Sequence, residues 1–521
     1  MKALIRVSIS FFLSIIFLFS TNVYAAAPIA DLAWAIRFDV WSLDPIASSD
    51  LNTRTVTYQI FEGLTTFSPD GEVVPALAES FERIDPVTWE FRLRQGIVFH
   101  DGEPFNAYAV KASLERSTNP LINFSTLHIL DMIRDISMVD EYTIRIRTFE
   151  PFSPLPAHLT HSAAFIVSPL AIKEETYGGR NIEENPIGTG PFILWERVFG
   201  EHFLLIGNEN YWQGTPKVDT LKLRVVHHNE LRLALLEAGI VNGMQVSTED
   251  LSIINDMPHV EITNILSNNT NYLGFNTQRG ILSDVRVRQA ISMAINREEI
   301  LEALAVYGQL ATGPLSPNNI FKAHDLEPLP FDLDKARQLM AEAGYGEIPQ
   351  FSAWRRLMGD TAENNTLELF VNGENQVRLT IAEMVQSNLA KIGIDVIIYA
   401  VDWGAFLDFT SMGEHDMFIL GSGSITGDAD DEMAFLFYSG NIGAGNRTFY
   451  DNPQVDMLIH QGRITDAALR AEVYREITEI LINDAPMVFL YHAYMHMAMI
   501  GIEGVEFDFN GVPRFFNASI C

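Results

Sequence analysis

The stretch QVRLTIAEMVQSNLAKIGIDVIIYAV (376–401) limits the folds open to this chain more than any other. Its first part spaces apolar residues three and four apart and ends in Lys391 and Gly393, as an amphipathic helix does; IDVIIYAV (394–401) then runs apolar like a buried strand. A second apolar run, DMFILG (416–421), follows another short helical segment. Helix, strand, helix and strand in that order predict strand–helix–strand units with parallel pairing, hence an α/β fold. LAWAI (32–36) reads as a short strand, TWEFRLRQGIVFHDG (88–102) as a hairpin strand closed by Asp101-Gly102, and VRQAISMAINREEILEAL (287–304) as a helix. No internal repeat, low-complexity tract or long linker interrupts the pattern.

Such a fold must be held by its core. The only cysteine is Cys521, so no intrachain disulfide can form. With 47% hydrophobic and 11% aromatic residues, a chain of 521 residues can bury a large core, spread over two to four domains. The N-terminal MKALIRVSISFFLSIIFLFSTNVYAAAP has a basic start at Lys2 and Arg6, an apolar centre and small residues before a cut expected after Ala25. It reads as a secretory signal peptide, residues 1–25, too short to span a bilayer. No cysteine near the cut offers a lipid attachment point, so a soluble periplasmic protein is expected. Losing Lys2 and Arg6 takes the net charge from −32 to −34, and a chain so acidic repels phosphate backbones, which argues against nucleic-acid binding.

In open parallel sheets, ligands bind beyond the carboxyl ends of the strands. The stretch GSGSITGDADDEMAF (421–435) sits at such an end and carries Asp428, Asp430, Asp431 and Glu432. An exposed acidic loop is the other reading of the same residues.

An ordered set of segments runs along nearly the whole mature chain: SLDP (42–45), QIFEGLTTFSPDGEVVPALAESF (59–81), WEFRLRQGIVFHDGEPFNAYAV (89–110), NPIGTGPF (185–192), NENYW (208–212), GFNT (274–277), VRVRQAISMAINREEI (285–300), AGYG (343–346), AEMVQSNLAKIGIDV (382–396) and NRTFYDNPQVDMLI (446–459). In these the chain resembles the large extracytoplasmic solute-binding proteins of ABC importers that handle dipeptides, oligopeptides, glutathione and nickel chelates (bacterial solute-binding family 5). Asn242 in LEAGIVNG departs from the acid usual there and is read as a change in a structural turn.

The resemblance implies a two-lobed periplasmic-binding-protein fold of type II with an extra subdomain, and a ligand cleft closed by a two-segment hinge. Lobe I is expected to comprise 26–69, 190–275 and 484–521, its extra subdomain 70–189, and lobe II 276–483. The implied function is capture of a short peptide or peptide-like solute and delivery to an inner-membrane ABC permease, by a monomer that is not an enzyme and uses no cofactor or metal. A nickel or other metal-chelate receptor is the alternative, and a secreted hydrolase a distant one. Neither H-E-x-x-H, G-x-S-x-G nor a P-loop occurs. GTGPF (188–192) is no phosphate loop, because Pro191 lacks a donor amide. His492 and His496 fall on a strand, too far apart for one ion, and adjacent His227 and His228 would point to opposite faces.

By the same resemblance Asp428 takes the ligand's α-ammonium, and the adjacent Ser424, Ile425, Thr426 and Gly427 supply main-chain bonds. Ser424-Ile425 stands where peptide binders commonly carry a Trp. Arg378 is the nearest candidate for the basic residue that holds a ligand carboxylate, with a surface arginine as the other reading. Arg37, Phe38 and Trp41 follow the first strand and are candidates for the cleft, Trp41 also for plugging the core. Trp403 is read as packing; Arg447 either crosses the cleft or pairs with a neighbouring acid.

Overall fold

The structure is a computed structural model that describes residues 30–521 apart from 48–49, 69–70, 123–126, 305–307, 346–364 and 509. The signal peptide expected over 1–25, and Gly346 of AGYG, lie outside the described residues.

One mixed sheet of eleven strands runs through the molecule. Ten are β1 (Leu32–Ile36), β2 (Phe192–Val198), β3 (His202–Gly207), β4 (Thr220–Val225), β5 (Gly243–Val246), β6 (Val260–Phe275), β7 (Thr366–Asn372), β8 (Asp395–Val401), β9 (Met417–Ser422) and β10 (Met487–Ile500). Their order is β8-β7-β9-β6-β10-β5-β1-β4-β3-β2, and a short strand, Gly308–Leu310, pairs with β10 off this path. The expected parallel units are present: β7 pairs in parallel with both β8 and β9, and β1 with β4 and β5.

The two longest strands join the halves. β6 has 16 residues and β10 has 14, and they pair antiparallel from Val260 opposite Ile500 to Gly274 opposite Met487. At about 3.4 Å per residue, β6 extends roughly 50 Å, enough to cross both lobes. Its ladder is irregular between Leu266 and Thr270, so Ser267, Asn268 and Asn269 leave the register midway along the crossing. The limits expected at 275 and 484 fall at the last residue of β6 and just before β10.

Helices cover both faces of the β6–β9 half. One face packs Leu273, Leu369 and Ile419 against Ile291, Val385 and Leu389. The other packs Tyr272, Phe370 and Phe418 against Phe437, Leu458 and Tyr474. In the remaining half, Trp34, Phe61, Phe192, Phe203 and Phe515 form one core, to which residues from both chain ends contribute. A separate four-stranded antiparallel sheet (Ala78–Asp85, Thr88–Leu93, Thr143–Thr148, Ile133–Asp140) packs Phe91, Ile144 and Ile146 with Phe99, Phe105 and Leu114.

The helix expected over 287–304 is two, Val285–Ala294 and Arg297–Ala303, because Asn296 adopts an extended conformation and its side chain accepts from Glu299 N, starting a new helix. Asn242 fastens strands: its Oδ1 accepts from Ala33 N at 2.9 Å and its Nδ2 donates to Ile500 O at 3.4 Å. In GTGPF, the glycines let the segment lie against the backbone at Ile60, where a Cβ on Gly188 would stand 2.1 Å from Ile60 O. Gly188→Ala is therefore expected to cost about 1–3 kcal/mol, read as a lowered urea midpoint; an unchanged midpoint would show that the contact yields without strain.

Candidate functional site

The loop after β9 leads into helix α4, and its four acids have four different environments. Four further helices frame it: α2 (Gln376–Ala390), α3 (Trp403–Met412), α5 (Pro453–Ile464) and α6 (Ala467–Asp484); α1 (Leu51–Ile60) stands across the cleft and α4 is Ala429–Phe437.

Asp428 is the N-cap of α4, its Oδ1 accepting from Asp430 N at 2.8 Å. Both carboxylate oxygens also accept from Arg470 of α6, Oδ2 from Nη1 at 2.8 Å and Oδ1 from Nη2. The pair is buried, with Asp428 5% and Arg470 3% exposed. Arg470 in turn lies 4.5 Å over the Phe321 ring and donates to Gly462 O and the Tyr474 hydroxyl. Burial pushes the Asp428 carboxyl up, but Arg470 outweighs it and holds the group below the ordinary carboxylate range. The charge of Asp428, expected at a ligand ammonium, is matched in this structure by a bidentate guanidinium from within the same lobe.

Asp430 and Asp431 are likewise framework. Asp430 Oδ1 accepts from Arg463 Nε of α5 at 2.7 Å. Asp431 Oδ2 accepts from Ile425 N at 2.7 Å, Thr426 N at 3.2 Å and Ser424 Oγ at 3.0 Å, closing the loop on itself. These bonds occupy the amides of Ile425 and Thr426 expected to reach the ligand. Ser424 Oγ also donates to Asp428 O, Thr426 is fully buried, and Gly427 takes φ +71°, with its carbonyl accepting from Asn319 Nδ2.

Glu432 is different. It is 2% exposed, and among the described residues its Oε1 has no hydrogen-bond partner and its Oε2 meets Ser422 Oγ alone, at 3.4 Å. Burial, with the Asp431 charge beside it, pushes its carboxyl up to about 8. Glu432 lines a recess of about 20 Å³ with Asn268, Asn318, Asn319 and Ser424, closed from the opposite lobe by Phe67 and Gly71. Phe67 also borders a second cavity, of about 230 Å³, in which Ile425 faces Tyr58, Thr160, Phe507, Asp508 and Arg514. Loop 423–428 thus meets the N- and C-terminal parts of lobe I across the cleft.

Arg378 stands in the first turn of α2, just beyond the carboxyl end of β7. It is half-buried, 6.0 Å from the Trp403 ring, and pairs with no acid among the described residues. Burial lowers its pKa, countered by Tyr272 and Tyr491. Arg447, also half-buried, pairs with no acid among the described residues: its Nη1 donates to Leu407 O at 2.8 Å and Thr410 Oγ1 at 2.6 Å of α3, holding that helix. Trp403, expected as packing, stacks on Phe406, yet is 42% exposed and forms a wall beside Arg378.

In lobe I, Arg37 lies 5.0 Å from the Phe38 ring and lines a 230 Å³ cavity with Asn52, Thr55, Arg232, Gln245 and Ser247. Phe38 is 50% exposed, near the His227 ring. For Trp41 the core reading is corrected. It is 55% exposed, so it plugs no core, and it borders an open hollow along edge strand β2 with Trp195, Arg197 and Phe199, which shares no residue with the loop's cavities. His492 and His496 each bond across to β6, to Thr270 and Asn264. No group of three His, Cys, Asp or Glu able to hold a metal ion occurs among the described residues, and no described helix is long and apolar enough to cross a membrane.

The parts the sequence reading missed are Arg470 and Asn268; Glu432 was named there only among the four acids of the loop. For Asn268 a signal existed: the polar run SNNTN (267–271) interrupts an otherwise apolar strand.

The profile described as "Bacterial extracellular solute-binding proteins, family 5 Middle" matches residues 72–444. The glutathione-binding protein GsiB of Pectobacterium atrosepticum is 31% identical over 487 residues, covering 89% of this chain and 90% of that protein. Among solved structures, HbpA2 from Haemophilus parasuis superposes with a TM-score of 0.83 at 25% identity, over 94% of this chain and 99% of that one. The periplasmic binding protein DppA from Helicobacter pylori, in complex with peptide STSA, gives 0.73 at 26% identity, over 94% and 98%. With its two lobes and its sheet passing between them on paired long strands, this chain belongs to the bacterial extracellular solute-binding proteins of family 5.

Proposed function

We propose that the protein is the periplasmic receptor of an ABC importer, exported by a cleaved leader, that captures a short peptide or peptide-like solute of the dipeptide, oligopeptide or glutathione type and presents it to an inner-membrane permease. Capture is by shape and charge, without turnover. The reading rests above all on Arg378, a half-buried guanidinium at the carboxyl edge of the lobe II strands with no acid partner among the described residues. A desolvated, unmatched cation in a cleft is a preorganised partner for a carboxylate, which it can bind bidentately. The relatives that bind glutathione and peptide STSA support a ligand of that class.

Lobe closure swings about the irregular stretch Ser267–Asn269 of β6 and the facing part of β10, where the ladder between the two long strands is interrupted. The extra subdomain spans 70–189. Arg378→Gln is expected to weaken reduced glutathione or the dipeptide Met-Leu by tenfold or more in calorimetry, about 1.5–3 kcal/mol for a charge-assisted bond, with the fold unchanged. Unchanged affinity for a ligand that the wild type binds would remove Arg378 from the site. Turnover of peptide by the purified protein would overturn the receptor reading.

A further inference from the structure

We infer that Glu432 is the ligand-reading acid of this receptor: its recess takes one primary ammonium group of the captured solute, and capture expels a proton from the carboxyl. This deepens the function proposed above and rests on it. Glu432 is 2% exposed and its Oε1 is without a partner among the described residues, an arrangement that is costly unless something else completes it.

The rest of the recess says what that is. Asn268 Nδ2 donates to Ser424 O, Asn318 Nδ2 to Leu266 O at 2.9 Å, and Asn319 Nδ2 to Gly427 O at 3.1 Å. Each amide therefore spends a donor on the backbone; Asn319 Oδ1 also accepts from Phe321 N at 2.9 Å, which leaves the Oδ1 atoms of Asn268 and Asn318 as the acceptors of the recess. One carboxylate among neutral acceptors suits a monovalent donor with several N–H bonds to give, which is an ammonium. A volume of about 20 Å³ holds a single group the size of a water molecule, and an ammonium is of that size.

The charges around Glu432 fit this reading. On its own helix Asp431 repels it; from β6 the Tyr272 phenol is within electrostatic reach. Asp428 and Asp430 are matched by Arg470 and Arg463. With its carboxyl pushed up to about 8, the empty recess is uncharged at pH 6.5; an arriving ammonium restores the carboxylate, so the carboxyl O–H proton leaves to buffer and an N–H···O bond replaces it. The residue sits where helix N-termini commonly carry an acid, which hides the role in the sequence.

The test is calorimetry of the full mature protein at pH 6.5 in two buffers of different ionisation enthalpy, with Met-Leu, N-acetyl-Met-Leu and N-acetyl-Lys-Leu as probes. Met-Leu is expected to bind with release of close to one proton. Glu432→Gln is expected to lose that release and at least tenfold in affinity, while keeping the wild-type circular dichroism spectrum. If the ammonium is the peptide's terminus, N-acetyl-Met-Leu fails to bind; if it is a side chain's, N-acetyl-Lys-Leu binds and loses affinity in Glu432→Gln. The inference is overturned, with the receptor reading intact, if Glu432→Gln keeps wild-type affinity and proton release, or if N-acetyl-Met-Leu, which carries no ammonium, binds as well as both Met-Leu and N-acetyl-Lys-Leu. Failure of the wild type to bind any of these probes or reduced glutathione overturns the receptor reading and the inference together.

Discussion

Asp428→Ala lowers the unfolding free energy by roughly 3–5 kcal/mol, the cost of leaving the buried Arg470 guanidinium unmatched together with loss of the α4 cap. Arg470 is 3% exposed, packed on Phe321 and Tyr474, so it cannot turn to water when its partner is removed. Pairing a buried charge is worth less than breaking the pair costs. The double variant Asp428→Leu, Arg470→Met is accordingly expected to recover most of the loss, because apolar replacement of both members removes the desolvation penalty as well as the attraction. The pH dependence has a definite sign. The folded carboxyl titrates below its unfolded value, so its contribution is present above about pH 4 and fades as acid protonates it. Urea unfolding of the three proteins at pH 7, repeated as the pH is lowered through about 4, measures all of this; an Asp428→Ala midpoint equal to the wild type's at pH 7 would show that the pair does not hold the loop.

Glu432→Gln is the opposite case and raises stability. Burial and Asp431 lift the folded carboxyl from an ordinary 4.5 to about 8, so the unfolded chain ionises first as pH rises and gains free energy on the folded state. Below pH 4.5 both states are protonated and the residue is neutral to stability. Between 4.5 and 8 the penalty grows by about 1.4 kcal/mol per pH unit, and above 8 it is constant. Near pH 7 the glutamine variant should therefore exceed the wild type by up to about 3.5 kcal/mol, with the two curves converging near pH 4.5. A difference that does not change with pH would mean that Glu432 keeps an ordinary carboxyl. A group that weakens the empty protein while completing an acceptor-lined recess has the trade expected of a binding residue.

Much of this architecture was legible in the residues. The helix at 376 and the strands at 395 and 417 could be read from apolar spacing, and their parallel pairing from their alternation, because both signals are local. The long antiparallel crossing could not. β6 is interrupted by Ser267, Asn268 and Asn269, and its partner β10 lies more than 200 residues on, so nothing local predicts the pair. The site divides the same way. That the loop after β9 stands at a strand's carboxyl end could be read from the apolar pattern, whereas Arg378 came only from the family resemblance. Which acid of the loop stays free did not follow. The answer depends on Arg463 and Arg470, 33 and 42 residues downstream of the acids they neutralise, and on Asp431 folding back on three donors of its own loop. Only the packed structure shows that three acids are consumed and one is left.

The most direct measurement is a crystal structure of the closed protein with Met-Leu or glutathione bound. The account predicts a ligand carboxylate on the Arg378 guanidinium and a ligand ammonium within hydrogen-bond distance of Glu432, with Asp428 still paired to Arg470. An Asp428 side chain released from Arg470 and turned onto the ligand, with Glu432 facing no positive group, would contradict it.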